Sequence, residues 1–268
     1  MNPVVETYSR LAREYDDPRN IESCWGRVTE YAAGFVTPRE GREVVVDVGC
    51  GTGRELDRLA SISPPGARLI GVEPAANMRE IAASRTSRRP NVQILDGSFE
   101  ALPLEAGSVD YLYSILAFHW TTDPEKSIAE LARVLKPTCE MDLVFIGRNN
   151  GREFIRRTTP VFFDYLTPKL VLDAASRRKQ LTVEQARALF ERSFNAADLD
   201  VTESYHTYHD TLEGHWGWWV RIEGQFVDMP KDVRTECDKA VKAALSELAT
   251  EQGIPYTVHL LHVRFKRS

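Results

Sequence analysis

The chain is poor in the features that mark several large protein classes. Its 268 residues hold four cysteines, Cys24, Cys50, Cys139 and Cys237, scattered and without a C-x-x-C pair. That pattern leaves no paired-thiol redox motif or zinc ribbon and reads as reduced thiols in a cytoplasm. No metal site is expected. No apolar run approaches the roughly 20 residues that would span a bilayer, so no membrane partner is expected. The N-terminus, Met1-Asn2-Pro3-Val4-Val5-Glu6, lacks the basic patch and apolar stretch of a secretory signal. There is no internal repeat and no low-complexity tract. A net charge of −5 argues against a broad basic face, and hence against a nucleic-acid partner. What remains is ordinary for a globular chain, 43% apolar and 27% charged. It suffices for one core with a small cap but hardly for two full domains.

The most informative stretch is Val44-Val45-Val46-Asp47-Val48 followed by Gly49-Cys50-Gly51-Thr52-Gly53-Arg54. A β-branched run closes on alternating glycines, and a helical pattern with Leu56, Leu59 and Ala60 on one face follows at once. Strand, glycine turn and helix in that order form the ligand corner of an open α/β sheet. The dinucleotide fingerprint G-x-G-x-x-G does not fit, because its third glycine would fall at Arg54 or Leu56. A second apolar strand, Arg68 to Val72, ends at Glu73, whose carboxylate can accept both hydroxyls of an adenosine ribose. A third, Val92 to Leu95, ends in Asp96-Gly97-Ser98-Phe99 and offers an acid and an aromatic ring to an adenine.

The pieces VDVGCGTGR, GVEPAANM, LDGSFEALPLEAGSVDYLYSILAFHW and ELARVLKP run in order from about Val44 to Ile146. Together they resemble the class I S-adenosylmethionine-dependent methyltransferases, in particular small-molecule enzymes similar to the trans-aconitate methyltransferase-like group. One departure is Pro137-Thr138-Cys139, where relatives usually show Pro-Gly-Gly. The resemblance implies an α/β fold: a seven-stranded, mostly parallel Rossmann-like sheet with helical lid insertions. It implies S-adenosyl-L-methionine as cofactor and methyl transfer to O, N or C of a small acceptor.

Residues 1–268 read as a single domain with an N-terminal helical cap at 1–36. Insertions at 147–181 and 209–253 lie on the substrate side. The cap is expected to hold two helices, the second from about Ile21 to Phe35. Strands are expected at 44–48, 68–72, 92–96, 109–115 and from Met141 to Ile146. Asp123-Pro124 opens a helix with a capping side chain and Pro at its first position. Thr182-Val183-Glu184-Gln185 is a capping box. The 209–253 insertion reads as a Trp-rich loop followed by an amphipathic helix.

By the resemblance, Gly49, Gly51 and Gly53, with Cys50 between them, allow close backbone approach to the cofactor. Glu73 takes the ribose, with Pro74 and Met78 beside it. Asp96, Gly97, Ser98 and Phe99 surround the adenine. Ser114, Ile115 and Leu116 touch the methionine end. Asp47 acts either through the loop or on the cofactor ammonium. Arg54 either pairs with the cofactor carboxylate or is a surface cation at a helix start. Tyr8 and Tyr15 either close over the cofactor or simply pack. His119 stands where an acceptor would approach and is either a general base or a structural histidine. Trp120, Arg148, Trp216 and Trp219 are the candidate acceptor contacts. The lid from Arg148 to Lys179 carries eight Lys or Arg against three acids, which suits either an anionic acceptor or a solvated face.

Methyl transfer from a sulfonium needs in-line positioning more than a dedicated base, so the cofactor site is legible and a catalytic group is not. Two alternatives stay open: a cofactor-binding protein without methyl transfer, and a methyltransferase acting on a macromolecule. A monomer and a homodimer fit equally.

Overall fold

The computed structural model describes residues 2–37, 41, 43–64, 66–227 and 229–267. Seven strands form one sheet: β1 (Val44–Val48), β2 (Arg68–Val72), β3 (Val92–Leu95), β4 (Val109–Ile115), β5 (Leu135–Ile146), β6 (Leu199–Asp210) and β7 (Ile254–Arg267). Their order is β3-β2-β1-β4-β5-β7-β6. Strands β1 to β5 pair in parallel, and β7 runs antiparallel between β5 and β6. This is the seven-stranded, mostly parallel α/β sheet expected. Its central strands are continuous apolar runs because helices bury both faces.

The helices are α1 (Pro3–Tyr15), α2 (Pro18–Glu22), α3 (Cys24–Ala33), α4 (Arg54–Ile62), α5 (Ala76–Arg85), α6 (Pro124–Val134), α7 (Arg152–Tyr165), α8 (Pro168–Ser176), α9 (Val183–Phe190), α10 (Leu212–Arg221) and α11 (Lys231–Ser246). On one face Ile128 and Leu131 of α6, with Ala186 and Phe190 of α9, pack on Val46, Leu112 and Phe145. On the other, Leu56 and Leu59 of α4 pack on Val45, Leu69 and Tyr111. Strand order reverses direction between β1 and β4, so their carboxyl ends diverge and leave a crevice there.

Local capping chemistry explains the helix starts. Asp123 accepts the Lys126 N–H ahead of Pro124, and Thr182 and Gln185 form the reciprocal capping box. Three expectations need correction. The second cap helix is two, α2 and α3, broken at Ser23. A Cβ at Gly26 would fall 1.8 Å from the Ile21 carbonyl oxygen, so the chain turns against that glycine. Strand β5 begins at Leu135 and not at Met141, with a register shift opposite Val109–Tyr111. The Trp-rich segment is no loop but helix α10, capped by Thr211 accepting the Gly214 N–H at 3.0 Å. Its tryptophans divide between two sides: Trp219 packs on the lid, Trp218 on the N-terminal cap.

Candidate active site

The turn after β1 is held in a shape that glycine alone tolerates well. Gly49 has φ 78°, and a Cβ there would lie 2.4 Å from the Ala117 Cβ. The next strand supplies the clamp: Glu73 Oε2 accepts the Gly51 N–H at 3.0 Å and Oε1 accepts the Ala75 N–H at 2.8 Å. Burial pushes the Glu73 carboxyl above its ordinary range, and the two backbone N–H groups partly counter this. The N-terminal cap is tied to the same loop by Thr52 Oγ1 donating to Asp16 Oδ1 at 2.9 Å.

Two hollows flank this turn, and a third adjoins them, sharing Tyr8, Tyr15, Leu116 and Trp120 with the first. The first, about 810 Å3 with its open mouth, is lined by Glu73, Pro74, Met78, Ser98 and Phe99, and by Tyr8, Val4 and Val5 of α1 above them. Glu100 also lines it, a residue the motifs did not single out. Burial raises the Glu100 carboxyl, but bonds from Thr121 and Thr122 outweigh it and bring it down to about 2. The second hollow, about 770 Å3, lies on the other side of the glycines and holds Asp16, Asp47, Glu55 and Arg54. Burial first, then Glu55, raises the Asp47 carboxyl well above its ordinary range. A cation placed there would relieve both. Gly49, Gly51, Tyr15 and Ile115 belong to both hollows.

The third hollow, about 520 Å3, opens beyond Leu116. Leu116 has φ 54°, the one positive value for a non-glycine among the described residues, and its N–H donates to Val144 O at 2.7 Å. Tyr8, Tyr15 and Trp120 also line it, together with His119, Asn150, Arg178, Trp25 and Trp218. Burial, then the Asp16 and Glu73 charges, push the Tyr15 phenol up to about 12. The His119 ring is buried and held well below the ordinary imidazole range by burial first and by Arg178 second. Its Nδ1 accepts the Ile146 N–H at a long 3.5 Å, which leaves the ring proton on Nε2. The Arg178 guanidinium lies 4.9 Å from the centre of the Trp120 ring.

Several residues singled out by motif stand elsewhere. Asp96 is exposed and lines none of these hollows; it pairs with Arg79 at 3.0 Å. Gly97 packs beneath Pro103, Gly53 starts α4 against Ala82, and Ser114 donates to Val48 O at 2.6 Å. These three shape the loops from behind. Cys50 is buried and lines the second hollow. Arg148 points out, its Nε 3.4 Å from Gln180 O, and lines no hollow, because its strand end turns its side chain to solvent. Trp216 packs with the α11 side, under Lys242 at 5.6 Å. Trp219 lies under the lid, in a fourth hollow that adjoins the third. Trp25 and Asn150 escaped the sequence reading, because nothing local distinguishes them from packing residues; Arg178 stood within the lid's charge excess and Trp218 within the tryptophan cluster, but neither was singled out as an acceptor contact.

An acid clamp over an apolar floor, joined to an acid-rich pocket with one arginine, suits a nucleoside carrying a cationic, zwitterionic tail. The residues present therefore fit S-adenosylmethionine.

Comparison with known proteins agrees. The family described as "Methyltransferase domain" matches residues 46–140. An uncharacterized methyltransferase of Geobacillus kaustophilus is 33% identical over 194 residues, 70% of this chain and 83% of that protein. A protein of transposon TN4556 from Streptomyces fradiae is 38% identical over 95 residues, and the match spans only 28% of its length. Among solved structures, a S-adenosylmethionine-dependent methyltransferase of Thermotoga maritima, a possible histamine N-methyltransferase, superposes with a TM-score of 0.55. It is 20% identical, and the match covers 99% of this chain and 100% of that one.

Proposed function

Since this chain belongs to the class I S-adenosylmethionine-dependent methyltransferases, we propose that it methylates a small anionic acceptor held in the third hollow. In this reading Glu73 receives the ribose hydroxyls, and Met78, Ser98 and Phe99 hold the adenine. Asp47 faces the ammonium of the methionine end and Arg54 its carboxylate, while the backbone of Ile115 and Leu116 flanks the sulfur. Tyr8 and Tyr15 close the top. When bound, the cofactor supplies a methyl group already activated by positive sulfur.

The chain's own part is then to place the acceptor and exclude water. Positioning of this kind can contribute about 7–11 kcal/mol. An acceptor oxygen that is ionised at neutral pH needs no base. That agrees with His119, whose ring is neutral, buried and engaged through Nδ1; it serves as a wall and a donor in this reading, not as a base. Arg178 would orient the anion.

The observation that carries the proposal is the charge of the third hollow. Arg178 is the one charged side chain among its described lining residues, which favours an anion over an amine acceptor there. The test is incubation of the purified protein with methyl-labelled S-adenosylmethionine and a cell extract. Label in an acidic small molecule or its ester supports the reading. Label in protein or nucleic acid, or release of none at all, counts against it.

A further inference from the structure

We infer that the acceptor is amphipathic, its anionic head beside Arg178 and an apolar chain under the lid; this rests on the function proposed above. The third hollow does not end at Arg178. Trp120, Asn150 and Arg178 also line the fourth hollow, so the two share one wall. The fourth is larger, about 990 Å3 with its mouth, and lies among α7, α8 and α10. Phe154, Phe162, Leu166, Val171 and Trp219 form its sides, and its charged lining residues, among those described, are Arg177 and Arg178.

The junction is built and not incidental. The Asn150 side chain is fixed there, donating to the Tyr256 hydroxyl at 3.0 Å and accepting the His259 N–H at 3.3 Å. Trp120 carries the Arg178 guanidinium on its face. The buried Trp218 indole Nε1, from a residue lining the third hollow, has no hydrogen-bond partner among the described residues. Beyond the junction the lining is mainly apolar, from the buried Leu166 and Trp219 to Ile155, which is 48% exposed, with Thr158, Thr159, Gln180 and Arg177 among it. An apolar chain would bury its surface there.

The test is binding, independent of turnover. Calorimetric titration of the purified protein with hexanoate, octanoate and decanoate, and with succinate, reads the preference directly. Burial of each added methylene should raise affinity about fourfold, so octanoate and decanoate should each bind roughly fifteen-fold tighter than the acid two carbons shorter. Ala174 and Val171 line the fourth hollow, and A174W or V171F should flatten this dependence while leaving S-adenosylhomocysteine affinity within twofold, which also reports that the variants fold. R178Q should weaken decanoate at least tenfold. Equal affinity along the series, tighter binding of succinate than of decanoate, or an unchanged chain-length dependence in both filled variants overturns the inference. Failure of the wild-type protein to bind S-adenosylhomocysteine overturns instead the cofactor reading beneath it.

Discussion

Glu73 and Gly51 are joined by a 3.0 Å hydrogen bond from the loop N–H to carboxylate Oε2, while Oε1 receives the Ala75 N–H. Both oxygens are therefore acceptors already, and each keeps a lone pair for a ribose hydroxyl. Glutamine can present only one acceptor. Glu73→Gln should therefore set an amide N–H against a backbone N–H and lose one sugar contact. Losing a charged hydrogen bond costs about 1.5–3 kcal/mol, roughly 10- to 100-fold in the Kd for S-adenosylhomocysteine. Unaltered calorimetric affinity would remove Glu73 from the site. Because its carboxyl is raised by burial, wild-type affinity should also weaken on the acid side sooner than an ordinary glutamate would allow.

Gly49→Ala meets two obstacles, a φ of 78° and a Cβ placed 2.4 Å from that of Ala117. The left-handed conformation alone costs about 1–2 kcal/mol for a residue with a side chain. The clash adds about 1–3 kcal/mol. Thermal melts should show a lowered Tm and no stabilisation by S-adenosylhomocysteine. Pairing it with Ala117→Gly should recover part of the Tm and none of the conformational strain.

His119 gives a pH dependence whose sign is fixed. Its folded pKa lies well below 6.5, so below that pH the unfolded chain binds a proton that the folded chain refuses. Stability contributed at neutral pH is lost as pH falls from about 6.5 towards the depressed folded value, with a slope of at most about 1.4 kcal/mol per unit. Urea midpoints between neutral and mildly acid pH should decline less steeply in His119→Gln than in the wild type. Parallel declines would mean that the histidine titrates normally.

Thr52 fastens the cap to the glycine loop through Asp16, which also pairs with Arg85. Thr52→Val removes one hydrogen bond, worth about 0.5–1.5 kcal/mol, and leaves the acid partly supported. Faster amide exchange in α1 and faster release of S-adenosylhomocysteine in stopped flow are expected, with little change in overall Tm. If release is unaffected, α1 does not gate the cleft.

The corner that holds the cofactor could be read from consecutive residues. A β-branched run, alternating glycines and an acid at the end of the next strand dictate their own backbone. Three of the strands, at 44–48, 68–72 and 109–115, and the start of α6, lie where periodicity and capping place them. Even there, local pattern could not tell which strand-end acid faces the cleft. Glu73 turns in, while Asp96 turns out to Arg79, a difference set by neighbouring strands and not by either residue's own segment.

The acceptor side is another matter. Its charge excess was visible in the lid, yet the cation that meets the hollow is Arg178 and not Arg148. The tryptophans were visible as a cluster, but only helix α10 divides them, sending Trp218 towards the cap and Trp219 under the lid. The proposed cofactor corner rests on backbone geometry, which neighbouring residues along the chain impose. The hollows proposed for the acceptor arise where α1, α3, the end of β4, the lid and α10 meet, and only long-range packing decides which faces turn inward.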